Sequence, residues 1–142
     1  MSSKYVLFVC TGNTCRSPMA AALAKSIFEE NNISAAVYSA GVSAWDGQPA
    51  SAHAVTAMHE DGINLQLHIS QRVSVKLLDN AELVFAMTSQ HLAAIKSVCP
   101  TANAFALDVS DPFGGDLEMY RQTAAEIKQK ILSNLEKIRE VL

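Results

Sequence analysis

Cysteine is scarce in this chain. Three are present, Cys10, Cys15 and Cys99, an odd and sparse set that argues against a secreted disulfide framework and fits a reducing cytoplasm. Long apolar runs are missing as well. Tyr5-Val6-Leu7-Phe8-Val9 near the start is too short for a signal-peptide core or a membrane span, so no membrane partner is expected. Basic excess is absent: 11 Lys and Arg face 14 Asp and Glu, a net charge of −3 with His neutral. A nucleic-acid backbone needs a basic patch, and none stands out. Neither G-x-x-x-x-G-K-[ST] nor a G-x-G-x-x-G after a strand occurs, which removes the common nucleotide motifs. His53, His59, His68 and His91 show no metal-ligand spacing.

What is present is the composition of a globular protein: 142 residues, 49% hydrophobic and 18% charged. That length suits one domain over residues 1–142 with a core that needs no staples. No repeat, low-complexity tract or linker interrupts it.

The apolar pattern alternates between two kinds of segment. Tyr5 to Cys10 is apolar without alternation, as in a strand buried on both faces of a parallel sheet. Pro18 opens a helical stretch to about Asn31, since proline is tolerated in a first turn. Ala35 to Ala40 reads as a second strand ended by Gly41, and residues 50–61 as a helix stopped by Gly62. Leu83 to Met87 is a third strand, Thr88 caps a helix to about Val98, and Ala102 to Leu107 is a weaker fourth strand. Asp111-Pro112-Phe113-Gly114-Gly115 is a loop by composition. One amphipathic helix is predicted from Leu117 to the C-terminus, with Ile127, Ile131, Leu135 and Ile138 on its stripe. Strands alternating with helices predict an α/β fold around a parallel sheet. Ligands in such sheets sit at the carboxyl ends of strands, where Cys10 ends the first strand and Asp111 follows the last.

The segment Cys10-Thr11-Gly12-Asn13-Thr14-Cys15-Arg16-Ser17 carries the chemistry. A loop running from a strand into a helix N-terminus turns successive backbone N–H groups into one concavity, with the helix dipole behind them. Gly12 is expected to supply the tight turn. Arg16 is placed to fold back and grip two phosphoryl oxygens. The same field favours a thiolate at Cys10, a nucleophile able to attack phosphorus, and Ser17 can donate a hydrogen bond to its sulfur. A lone cysteine ending a strand is usually only a core residue; Cys-x5-Arg-Ser between strand and helix is far more specific. The leaving group then needs a proton. Asp111 is the candidate acid, with Asp108 and Asp116 as competitors and an ordinary turn aspartate as the plain alternative.

These residues resemble the low-molecular-weight protein tyrosine phosphatase family: Val-Cys-Thr-Gly-Asn-Thr-Cys-Arg-Ser-Pro near the start, Asp111-Pro112 late, and a likeness over essentially the whole chain. The resemblance implies a four-stranded parallel sheet flanked by helices on both faces, with the phosphate-binding loop after the first strand, and no metal or organic cofactor. It implies a phosphocysteine intermediate on Cys10, phosphate binding by the loop from Thr11 to Ser17 with Arg16 as its arginine, and Asp111 as general acid. Asn13, Ser17, Ser39 and His68 match a buried polar network that shapes the loop. Trp45 matches an aromatic beside the pocket mouth, or else packs on the surface. Cys15 matches a second loop cysteine that can shield Cys10 in a reversible disulfide, or else is a small buried hydrophobe.

Two departures from the tyrosine enzymes point to the bacterial protein-arginine-phosphatase branch. Thr14 stands where an Ile is usual, and Phe113-Gly114-Gly115 stands where a Tyr pair often follows Asp-Pro. Thr14, Trp45 and Phe113 are therefore the specificity candidates. The expected substrates are phosphorylated proteins, with phosphoarginine favoured over phosphotyrosine. An arsenate reductase would need a further cysteine pair, and a non-catalytic phosphoprotein-binding module would not need a nucleophile.

Overall fold

The structure, a computed structural model, describes residues 4–142. Four strands, β1 (Tyr5–Cys10), β2 (Ala36–Gly41), β3 (Leu83–Ala86) and β4 (Ala104–Ala106), form one sheet in the order β2-β1-β3-β4. All three pairings are parallel. The helices are α1 (Arg16–Glu30), α2 (Ala52–Glu60), α3 (Val75–Asn80), α4 (Ser89–Val98), α5 (Leu117–Ser133) and α6 (Leu135–Val141).

The unbroken apolar character of β1 has a direct cause. Val6, Phe8 and Cys10 join one core with residues of α1, α2, α5 and α6, whereas Leu7 and Val9 join a second core with Leu78 of α3 and Ile95 of α4. Successive side chains point to opposite faces, so helices on both faces demand apolar residues at every position. Phe8 stacks on Phe85 with ring centroids 5.6 Å apart, tying the two central strands on the larger core side.

Strand order reverses at β1, which has β2 on one edge and β3 on the other. Connections leave a crevice at such a switch point, beyond the strands' carboxyl ends. Cys10 is the last residue of β1 and stands at that crevice.

Three sequence expectations need correction. The predicted helix from Leu117 to the C-terminus is two helices, broken at Asn134, whose side chain takes the Lys130 carbonyl at 2.7 Å. An asparagine that bonds the backbone competes with helix continuation. Helix α3 was not anticipated; it has six residues with only Leu78 buried, too short for a 3.6-residue period to register. Helix α1 begins at Arg16, two residues before Pro18, which still falls within the first turn.

Candidate active site

Residues 10–15 leave β1 and enter α1 as a tight loop. Asn13 carries its turn, with φ of 57°, a left-handed conformation that asparagine adopts more readily than most residues. The expected turn residue, Gly12, has no positive φ, and a Cβ there would meet only Thr14 Oγ1 at 3.7 Å. Gly41 is a second requirement that the sequence did not disclose. A Cβ there would overlap Thr11 O and stand 2.9 Å from Asn13 N, so the end of β2 must be glycine for the loop to settle on it.

Asn13 has no solvent exposure, and its polar groups are all partnered. Its side-chain amide donates to Ser17 Oγ at 2.8 Å and Ser39 Oγ at 2.9 Å. Asn13 Oδ1 accepts from Gln71 N at 2.9 Å, and its carbonyl pairs with His68 Nε2 at 2.7 Å. Asn13 N donates to Cys10 Sγ at 3.3 Å. The four residues matched to a loop-shaping network are thus joined in one, with Gln71 as a fifth member hidden in a polar stretch that carries no motif.

Ser17 Oγ stands 2.9 Å from Cys10 Sγ. It accepts from Asn13 and donates towards Ala40 O at 3.3 Å, so it has one hydrogen to share between carbonyl and sulfur. A thiolate is the stronger acceptor of the two. Cys15, the N-cap of α1, makes no side-chain capping bond, and the first-turn N–H groups are left to serve an anion.

Arg16 is buried, and Nη1 donates to Val109 O at 3.1 Å. Its Nη2 lies 3.5 Å from Asp111 Oδ2. Asp111 is largely exposed and also accepts from Phe113 N at 2.9 Å, so it is a turn aspartate and a cavity residue at once. Cys10, Thr11, Gly12, Thr14, Cys15, Arg16, Asp111 and Phe113 line one cavity of about 250 Å³. Asp116 is not there: it caps α5 by accepting from Met119 N. Asp108 has φ of 63° and lines a neighbouring cleft. Trp45 is 77% exposed and does not line the cavity; its carbonyl is held by Ser70 Oγ. Thr14 O accepts from Ser51 N at 2.8 Å, which fastens the loop to the N-cap of α2.

Two further titratable groups touch the loop. Tyr120 OH lies 3.5 Å from Cys15 Sγ, and burial, followed by that contact, raises its pKa. His91 is buried with Nε2 2.7 Å from Thr11 Oγ1. Burial first, then the Arg16 charge, lowers its pKa, with Asp111 opposing. Neither residue carries a motif at the sequence level. Among the described residues no group of His, Cys, Asp and Glu is arranged to hold a metal. No helix there is long and apolar enough to cross a membrane.

Comparison with known proteins agrees with this geometry. The family of low molecular weight phosphotyrosine protein phosphatases matches residues 5–141. A protein-arginine-phosphatase of Bacillus subtilis (strain 168) is 44% identical over 135 residues, 87% of this chain and 89% of that protein. The crystal structure of a YwlE mutant from Bacillus subtilis superposes with a TM-score of 0.91 at 40% identity, covering 96% of this chain and 99% of that one. A second YwlE arginine phosphatase structure, a mutant with a phosphorylated active-site serine, gives 0.89 at 40% identity over 97% and 99% of the two chains.

Proposed function

The chain belongs to the low-molecular-weight phosphotyrosine protein phosphatase family, and from that premise we propose that it removes phosphate from phosphoarginine in cytoplasmic proteins, with residues 1–142 acting as one catalytic domain. Cys10 attacks phosphorus and expels the leaving group. The P–O or P–N bond breaks as the S–P bond forms, and Asp111 gives the departing oxygen or nitrogen its proton. Water, deprotonated by Asp111, then displaces phosphate and regenerates the Cys10 thiolate. The loop N–H groups and Arg16 hold the equatorial oxygens through both steps. The observation that carries this reading is the meeting of Cys10, Arg16 and Asp111 around one cavity, although Asp111 follows the last strand while Cys10 ends the first and Arg16 opens the helix after it.

Phosphoarginine is favoured by Thr14 on the cavity wall and by an exposed carboxylate at its rim, which suits a two-pronged bond to a guanidinium. The relatives named above as arginine phosphatases support the same choice. Phosphotyrosine hydrolysis, by the same steps, is the second reading, favoured by the family's own description. A disulfide relay of the arsenate-reductase kind has less support: Cys99 packs in the core on the opposite face of the sheet from Cys10. The deciding experiment measures kcat/KM for phosphoarginine and phosphotyrosine peptides in the wild type and in Thr14→Ile. An apolar wall against guanidinium N–H groups costs about 1–3 kcal/mol, so the ratio is expected to move towards phosphotyrosine by about one to two orders of magnitude. A wild type that prefers phosphotyrosine, or an unchanged ratio, transfers the assignment to the second reading.

A further inference from the structure

His91 has no part in the steps above, yet it is 6% exposed and both its ring nitrogens are engaged. Nε2 meets Thr11 Oγ1 at 2.7 Å, and Nδ1 meets Thr88 Oγ1 at 2.9 Å. Thr88 Oγ1 is also the N-cap of α4, accepting from His91 N at 3.2 Å. The chain Thr88–His91–Thr11 therefore links the start of a helix to the second residue of the phosphate loop.

Counting hydrogens separates the two ways the chain can run. A neutral imidazole carries one proton. With that proton on Nδ1, Thr88 Oγ1 accepts twice and its own hydrogen has no acceptor in the chain, while Nε2 takes the hydrogen of Thr11. With it on Nε2, Thr88 donates to Nδ1, Nε2 donates to Thr11 Oγ1, and the Thr11 hydrogen is left over. Each arrangement leaves one hydroxyl hydrogen over, and the two differ in where it lies: on Thr88, which lines only the neighbouring cleft, or on Thr11, which also lines the catalytic cavity. Thr11 borders two cavities, the catalytic one and a cleft of about 420 Å³ that also includes His91 and Asp108. In the second arrangement the Thr11 hydrogen is free to meet a phosphoryl oxygen in the catalytic cavity, an acceptor that would complete the count.

We propose that His91 is a positioning residue of the phosphatase reaction: its Nε2–H holds Thr11 Oγ1 as an acceptor and so commits the Thr11 hydroxyl to donate to the phosphoryl group. The proposal rests on the phosphatase reading of the cavity. The lowered basicity of the ring agrees with it, because a neutral His91 is what forces a choice of tautomer.

Two measurements test it. Long-range proton–nitrogen NMR on the wild-type protein with inorganic vanadate should show His91 protonated at Nε2 and bare at Nδ1; the opposite tautomer overturns the proposal without any variant having to fold. Turnover of p-nitrophenyl phosphate forms the second arm. His91→Leu and Thr11→Val should each lower kcat/KM about tenfold, the worth of one hydrogen bond to a charged group. The double variant should be no worse than either alone. His91→Gln, whose amide N–H can reach the place of Nε2–H, should recover activity to within about threefold of wild type. Losses that multiply in the double variant, or a Gln variant as poor as Leu, overturn the positioning role. A wild type that neither turns over the substrate nor binds vanadate rejects the phosphatase reading itself, and His91 with it.

Discussion

The phosphate loop has two unlike flanks. On one side Asn13 is wholly buried, with every polar group partnered by Ser17, Ser39, Gln71, His68 and Cys10. On the other side stand Asp111, more than half exposed and held by one ion pair of 3.5 Å, and Phe113, 81% exposed. The saturated flank lies behind the loop that, on the proposed function, holds the phosphoryl group common to every substrate. On the same reading the open flank would meet the leaving group, which differs between arginine and tyrosine. Preorganised dipoles cost nothing to reorient during reaction, so rigidity serves where the chemistry is constant. An exposed, lightly held arm serves where it varies.

The largest expected effect lies between the flanks. Cys10→Ser should abolish steady-state turnover while vanadate affinity stays within about tenfold, because the backbone and Arg16 make the anion site and only the sulfur both forms the phosphoryl bond and leaves it readily. Mass spectrometry should find no phosphate retained in the wild type at rest and a phosphate adduct at position 10 in the variant, by analogy with the phosphorylated serine of the YwlE mutant. Appreciable turnover in a contamination-free preparation would remove the covalent mechanism.

Asn13→Ala attacks the saturated flank. It removes a partner from buried Ser17 and Ser39 and from Gln71 N, and a buried group left unpaired costs about 1–3 kcal/mol before water intrudes. It also places alanine at a φ of 57°, where an L-residue is strained by about 1–2 kcal/mol. A stability loss of about 3 kcal/mol is expected in urea unfolding, with activity falling too. A loss near zero would mean that the network is ornament to the fold and that the two flanks do not differ in kind.

Asp111→Asn attacks the open flank and should do the reverse. Exposed ion pairs contribute about 0–1 kcal/mol, so stability should hardly move. Proton donation is worth about 10²- to 10⁴-fold where the leaving group is poor. The pre-steady-state rate of phosphorylating Cys10 should fall most for alkyl or guanidino leaving groups and least for an activated aryl phosphate. The same pattern from Asp116→Asn would reassign the acid, against its place as the cap of α5.

Sequence legibility followed the same division. The sheet was readable because burial on both faces leaves β1 and β3 with no polar residue to break the pattern. The loop was readable because cysteine, arginine and serine at fixed spacing after a strand serve few purposes but anion chemistry. Gln71, Gly41 and His91 were not readable. Each acts through a contact made across the fold, on Asn13, Thr11 O and Thr11 Oγ1, and long-range partners leave no local spacing. The break at Asn134 is not legible because the apolar stripe runs from Ile127 and Ile131 before it to Leu135 and Ile138 after it. Composition points to Gly12 for the turn that Asn13 makes, since glycine is the usual residue there and the network that holds Asn13 is invisible along the chain.

The smallest expected effect separates fold from specificity most cleanly. Phe113 contributes almost nothing to the core, so Phe113→Ala should alter stability by no more than about 0.5 kcal/mol. Yet Phe113 lines the cavity beside Asp111, where on the proposed function a leaving group would project. Inorganic phosphate, which has no leaving group, should inhibit wild type and variant equally. Phosphoarginine and phosphotyrosine peptides should each change in KM by a few-fold, the worth of one partly buried aromatic contact of about 0.5–1.5 kcal/mol, and by different factors. Equal changes for both peptides would make Phe113 a passive rim. A change in phosphate inhibition would show that the open flank reaches into the cradle, and the division between the two flanks would have to be redrawn.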